Sequence, residues 1–241
     1  MSAPTDPFFE PYDRDDIAYG DVPSAPLAAF LEQVDCGGRA LDLGAGAGRD
    51  TLALARAGFH VTAVDLSPRG AERIRQRAET AGVGGRVETC VANVCEHEIP
   101  QGVFDAICAT TVLDHIPADD ARMVWKRMTA GLREGGVMYV EVHSTEDPGS
   151  DRRPGSESDA PKSETADAVI NYFAPNQLAR WAVEEESALR ILRYEERLEW
   201  DYTHGPEHLH GKAVLLAVKA GAHPAWYGQP AAFPRKFQRE A

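Results

Sequence analysis

Two groups of residues in this chain have the types and spacing for chemistry. In the first, Asp42 stands two residues ahead of a glycine turn, Gly44, Gly46 and Gly48, and Asp65 follows 21 positions after Gly44. Glycine lets the backbone turn sharply and lets a ligand approach main chain with no Cβ in the way. A carboxylate about 20 residues beyond such a turn is placed to accept from the two hydroxyls of a ribose. The amides near Arg49 and Asp50 open a helix and face the ligand with the positive end of its dipole. The second group is the run THGPEHLHGK, which brings His204, Glu207, His208 and His210 close together. His208 and His210 are two apart, so on a strand they share one face. Imidazole titrates near neutral pH and ligates metals, so this group suits proton transfer, substrate binding, a metal site or a polar rim with no chemical role.

The elements that must position these residues follow from periodicity and punctuation. A short helix is expected over Pro26 to Val34. Strand 1 is Arg39 to Leu43, a helix runs from Asp50 to Ala57, and strand 2 is His60 to Val64. Ser67 and Pro68 open a helix that stops at Gly82. Strands follow at Val87 to Val91 and Phe104 to Ala109, then a helix over Asp119 to Leu132, ended by Gly135 and Gly136. Strand 5 is Val137 to Val142. The polar stretch from Ser144 to Ala168 lacks periodicity and reads as a mobile loop, either a lid or a linker. A helix from Pro175 to Glu186 and two strands, Arg190 to Trp200 and Ala213 to Val218, complete the order. Alternating strands and helices imply a doubly wound α/β sheet, mostly parallel. The last two strands, joined by a short turn, are expected to be antiparallel to each other.

Composition sets outer bounds. The 241 residues suit one domain, and a net charge of −13 opposes a nucleic-acid partner that needs a basic groove. No stretch is long and apolar enough to span a membrane, and the first residues show no signal-peptide core, so a cytoplasmic location is expected. The cysteines, Cys36, Cys90, Cys95 and Cys108, have no C-x-x-C spacing and read as reduced structural thiols.

The glycine turn discriminates between cofactors. The dinucleotide fingerprint G-x-G-x-x-G needs glycine where Arg49 stands, which opposes an NAD-linked oxidoreductase. The pattern Asp-x-Gly-x-Gly-x-Gly resembles motif I of the class I S-adenosylmethionine (SAM) methyltransferases, and Asp65 matches their motif II acid. The resemblance covers about Arg39 to Lys219 and implies seven strands with a reversed last one, SAM as cofactor and a small-molecule methyl acceptor. It divides the chain into an N-terminal segment and cap helix (1–38), a SAM-binding domain (39–219) and a tail (220–241). It implies that Asp42 meets the cofactor's ammonium and Arg49 its carboxylate, while Gly44, Ala45 and Gly46 lay bare main chain along its tail. Asp65 and Leu66 take the ribose side, Asn93 and Val94 the adenine, and Thr110, with Val112, borders both portions. His115 reads as a structural loop histidine. Tyr12 and Tyr19 are candidate caps.

In the family's strand order the reversed strand lies beside strand 5. His143, at the end of strand 5, is then expected to converge with His208 and His210, with Glu207 or Asp201 near. These three histidines are the candidate bases for a hydroxyl or amine acceptor, and no residue is assigned to a metal. A thiolate or soft anion needs no base. The segments LDLGAGAGRDTLALARAGFHVTAVDLS, FDAICATTVLDHI, GGVMYVEV, YFAPNQL and HGKAVLLAVK are most similar to the tellurite-resistance and related small-molecule methyltransferases. A methyltransferase of secondary metabolism fits equally well. A SAM-binding or metal-dependent enzyme that uses the histidines for other chemistry is the alternative.

Overall fold

The computed structural model describes residues 20, 22–33, 37–150, 160–163, 166–202 and 205–219. His204, Cys36, Tyr12, Tyr19 and the C-terminal tail lie outside the described residues. The chain order is α1 (Ala25–Gln33), β1 (Arg39–Leu43), α2 (Arg49–Arg56), β2 (His60–Asp65), α3 (Pro68–Thr80), β3 (Val87–Val91), β4 (Phe104–Thr110), α4 (Ala118–Gly131), β5 (Leu132–His143), α5 (Gln177–Val183), β6 (Leu189–Asp201) and β7 (His208–Lys219). The strands form one sheet in the order β3-β2-β1-β4-β5-β7-β6. β3, β2, β1, β4 and β5 pair in parallel, and β7 runs antiparallel to both β5 and β6. This is the doubly wound seven-stranded α/β fold with a reversed last strand that the family resemblance implies.

Period-2 alternation divides the strand residues between two cores. Leu41, Leu43, Ile107, Met138, Val140, Leu215 and Ala217 face one side, with Trp125 and Met128 of α4 and Leu178 of α5. Ala40, Ala106, Cys108, Val137, Tyr139, Val214 and Leu216 face the other, under Leu27 and Phe30 of α1 and Leu54 of α2. The second face changes character toward the carboxyl ends of the parallel strands. Continuing the same alternation, β1 reaches Asp42, β4 reaches Thr110, β5 reaches Glu141 and His143, and the reversed β7 presents Lys212, His210 and His208. The sheet therefore carries an ionisable rim on one face at one edge.

Several boundaries differ from expectation, and α5 ends at Val183 rather than Glu186. β5 begins at Leu132 rather than Val137, because Phe104 pairs with Leu132 before the register jumps to Ala106 opposite Val137, which takes up residues 133–136 as a bulge. β7 begins at His208 rather than Ala213, since its first residues pair with the far end of β6, Asp201 opposite His208. The start of the 144–168 stretch packs against the sheet edge. The Ser144 amide donates to the Gly211 carbonyl at 2.8 Å, the Thr145 amide donates to the Phe173 carbonyl at 2.9 Å, and Asp147 is buried. Gly211 makes this possible, because a Cβ there would stand 2.3 Å from the Asp147 amide nitrogen.

Candidate active site

One cavity, with a volume of about 280 Å³, runs from the glycine turn along the ionisable rim to His143 and His210. At the first end, β1 delivers Asp42 and the turn follows. Gly44 adopts φ +64°, and a Cβ on it would stand 2.4 Å from Val112 Cγ2, so a side chain is excluded on two grounds. The Ala45 amide donates to the Val64 carbonyl at 3.0 Å, which ties the turn to β2. Asp65, at the end of β2, accepts from the Gly46 amide at 2.7 Å and from the Ser67 amide at 2.8 Å. Its carboxylate thus holds the turn together, and each oxygen keeps a second lone pair for a ligand. Burial raises the pKa of Asp65, and the two amides act against that shift. Leu66, beside it, is 52% exposed and borders the cavity, giving an apolar wall for a flat ring.

Asp42 accepts from the Thr51 hydroxyl. Burial and the neighbouring Asp50 charge push its pKa up to about 8. Arg49 grips Asp50 with two donors, at 2.9 and 3.1 Å, and Thr110 donates to the same carboxylate at 2.7 Å. Arg49 also borders the cavity. Asn93 borders the cavity, and its side-chain oxygen accepts from the Cys95 amide at 2.9 Å. Ala45, Val94, Thr110 and Val112 also border the cavity.

Farther along, the Lys212 ammonium sits 3.0 Å from Glu141, and the Tyr139 hydroxyl donates to the other Glu141 oxygen at 2.9 Å. Burial would raise the Glu141 pKa, and the Lys212 charge and hydrogen bond reverse this, leaving it lowered. At the far end, Asp114, fully buried, accepts from the His143 amide at 2.9 Å and pairs with His143 Nδ1 through the same oxygen. Its other oxygen lies 3.2 Å from His115 Nδ1. Burial opposes the charge on Asp114, yet the two histidines outweigh it and hold the carboxyl well below its usual range. Partial burial lowers the pKa of His115, and Asp114 more than offsets this, leaving it raised.

The histidines do converge. His143 and His210 rings lie 4.6 Å apart, and His208 and His210 rings 4.7 Å apart, both edge to face. His210 Nδ1 is 3.0 Å from Asp147, whose pKa burial would raise but the His210 hydrogen bond lowers. Asp201 stands 3.9 Å from His210 Nε2, whereas Glu207 is exposed and takes no part. Asp114, Asp147 and the Glu141–Lys212 pair escaped the sequence reading. The available signal was the alternation past each strand end, which marks Glu141 and Lys212 but not the two aspartates in the turns beyond.

The donor set discriminates among cofactors. Six carboxyl side chains, Asp42, Asp50, Asp65, Glu141, Asp147 and Asp201, border the cavity against two permanent cations, Arg49 and Lys212. A pyrophosphate would meet Asp42 and Asp65 where it needs bare amides. A sulfonium nucleoside with an ammonium tail meets acceptors at both places, so these residues fit SAM.

Comparison with known proteins agrees. Residues 40–136 match the family described as a methyltransferase domain. The ubiquinone biosynthesis O-methyltransferase of Xanthomonas axonopodis pv. citri is 32% identical over 132 residues, 51% of this chain and 54% of that protein. The protein of that name from Methylocella silvestris is 38% identical over 102 residues, 42% of this chain and 38% of its own. The chain thus spans about half or less of the length of these curated relatives. Among solved structures, TehB from Haemophilus influenzae superposes with a TM-score of 0.66 at 20% identity, covering 82% of this chain and 62% of that one. The 1,6-didemethyltoxoflavin-N1-methyltransferase of Burkholderia thailandensis, solved with S-adenosylhomocysteine, superposes with a TM-score of 0.57 at 23% identity, covering 81% and 77%. Residues 40–136 thus match a methyltransferase domain, and the chain shares its overall fold with these solved structures. Among the described residues no helix is long and apolar enough to cross a membrane.

Proposed function

We propose that this chain transfers the methyl group of SAM to a hydroxyl of a small-molecule acceptor. The observation that carries the reading is the continuity of one cavity from the Asp42–Asp65 end to a buried Asp114–His143 pair. Asp65 and Leu66 would hold the nucleoside, Asp42 the ammonium, and Arg49 the carboxylate. Bound there, the cofactor supplies a methyl carbon activated by a sulfonium, so the protein's tasks are alignment, exclusion of water and proton removal.

His143 is suited to the last task. Its Nδ1 is held by the Asp114 carboxylate, which fixes the tautomer with the proton on Nδ1 and leaves Nε2 as the accepting nitrogen. A hydroxyl acceptor loses its proton to that nitrogen as its oxygen becomes nucleophilic. The curated relatives carry O-methyltransferase in their names, which favours oxygen over nitrogen as the acceptor atom. The acidic surface, with net charge −13, supports a small molecule over nucleic acid. Location in the cytoplasm belongs to the same proposal.

Calorimetry with S-adenosylhomocysteine and with NADH, followed by turnover assays on a panel of phenols, catechols and amines, tests this. The expected result is binding of the nucleoside thioether alone and methylation of hydroxyl acceptors. Binding of NADH instead, or methylation confined to amines, would refute it.

A further inference from the structure

Lys212 is a cation standing where the proposed reaction makes an anion. It lies directly opposite His143 in the antiparallel β5–β7 register, so both side chains leave the sheet on one face, with Cβ atoms about 4.5–5.5 Å apart. Its side chain is 11% exposed and borders the cavity. The ammonium sits 3.0 Å from Glu141 Oε1, its one ion-pair partner among the described residues. An ammonium carries three N–H donors, more than one carboxylate oxygen takes up. Glu141 is held from behind: Tyr139 donates to its other oxygen at 2.9 Å and pairs with Ser24, just ahead of α1. These ties fix where the Lys212 charge stands.

We propose that the Lys212 ammonium stabilises the negative charge that develops on the acceptor oxygen as His143 removes its proton, which makes Lys212 a further catalytic residue. The inference rests on methyl transfer to a hydroxyl, as proposed above. The acceptor oxygen passes its proton to His143 Nε2, its freed electron pair forms the O–CH3 bond, and the C–S bond breaks with its pair left on sulfur. Lys212 exchanges no proton in this step. Its charge makes the hydroxyl more acidic: the ionised fraction rises about tenfold for each unit of acidity gained, and nucleophilicity falls less steeply. A fixed donor aimed at developing charge contributes about 10²- to 10³-fold.

The surroundings single out Lys212 for this role. Arg49 grips Asp50 near the glycine turn. Arg197, opposite Lys212 on β6, is paired with Glu195 and Glu199. His143 and His210 border the same stretch, backed by Asp114 and Asp147, and Glu141 and Asp201 add negative charge. Among these groups Lys212 is the permanent cation beside the base.

The first test uses the full chain and 4-nitrophenol, whose ionised form absorbs visible light, with no cofactor added. Bound to the native chain, the dye should ionise about one pH unit or more below its midpoint in buffer. The double variant Glu141→Gln/Lys212→Met removes both charges and leaves no buried carboxylate uncompensated. It should return the midpoint to the buffer value, whereas Lys212→Arg and His143→Gln should each keep most of the shift. Thermal unfolding checks that every variant is folded. Turnover with SAM supplies a second readout: the double variant should lose about 10²-fold in kcat with weakly acidic phenols and less than about threefold with 4-nitrophenol. An unshifted midpoint in the native chain would overturn the role of Lys212. So would a shift that survives in the double variant and vanishes in His143→Gln, or an equal loss of kcat with every phenol. A native chain that shifts the dye yet methylates no hydroxyl would instead remove the hydroxyl-acceptor reading, and this role with it.

Discussion

The two ends of the cavity are built in opposite ways. The Asp42–Leu66 end comes from one contiguous strand–turn–helix–strand stretch, and its hydrogen bonds, Gly46 to Asp65 and Ser67 to Asp65, span 19 and 2 residues. The histidine end is assembled from remote segments: Asp114 reaches His143 over 29 residues, and Asp147 reaches His210 over 63. One end is a local unit that binds; the other depends on the whole sheet for its geometry. The proposed roles divide along the same line, cofactor at the local end and chemistry at the assembled one.

The largest expected effect separates the ends outright. His143→Ala should lower kcat by about 10²- to 10⁴-fold and leave S-adenosylhomocysteine affinity unchanged. Paired stopped-time assays and calorimetry measure both, and equal losses in each would erase the division. Next, Asp65→Ala should weaken S-adenosylhomocysteine by about 30-fold, the ~2 kcal/mol of a lost charged hydrogen-bond acceptor, with little change in the acceptor KM. A raised acceptor KM at unchanged cofactor affinity would reverse the assignment of ends.

Asp42 sharpens the comparison through pH. Its folded pKa, about 8, is above the unfolded carboxyl value, so its protonated form favours folding. Its contribution to stability is complete below about pH 4 and is lost as pH rises toward 8. An ammonium ligand prefers the ionised carboxyl, so S-adenosylhomocysteine affinity should rise between pH 6 and 8, by up to about tenfold per unit. Asp42→Asn should flatten that profile and raise Tm at pH 8, by about 2–4 °C for each kcal/mol relieved. An unchanged profile in the variant would place the titrating group elsewhere. The smallest effect concerns Asn93. Asn93→Asp keeps the oxygen that caps the Cys95 amide and offers adenine a charged acceptor, so affinity should improve by about two- to fivefold in calorimetry. Weaker binding would show that Asn93 does not face the base.

The contrast also explains what could be read from residues alone. β1, β3 and the helix after Ser67 and Pro68 matched their expected positions within a residue or so, because local punctuation sets them: Ser67 caps Gly70, and Pro68 opens the turn. The shape of the Asp42–Leu66 end was legible for that reason. The convergence of His143, His208 and His210 was legible too, but only through the strand order that the family resemblance implies. Asp114 and Asp147 were not, since each sits in a turn and gains its role from a partner brought by sheet pairing. Burial by Phe173, Gly211 and the strands around them turns them into ring anchors. The start of β5 was misplaced because Gly135 and Gly136 look like a helix stop, and only the jump in pairing with β4 shows that they are part of a strand.

The hairpin from Leu189 to Lys219 has a consequence for how this site tolerates change. Its rungs run without a break from Arg193 opposite Leu216 to Asp201 opposite His208. Were β7 to slide by one residue, Leu209 and Gly211 would replace the imidazoles in the cavity, and both rings would swing to the opposite side. Side-chain swaps in the connecting turn leave that phase intact, but losing or gaining a single residue within a rung removes both β7 imidazoles from the cavity in one step while the sheet stays paired.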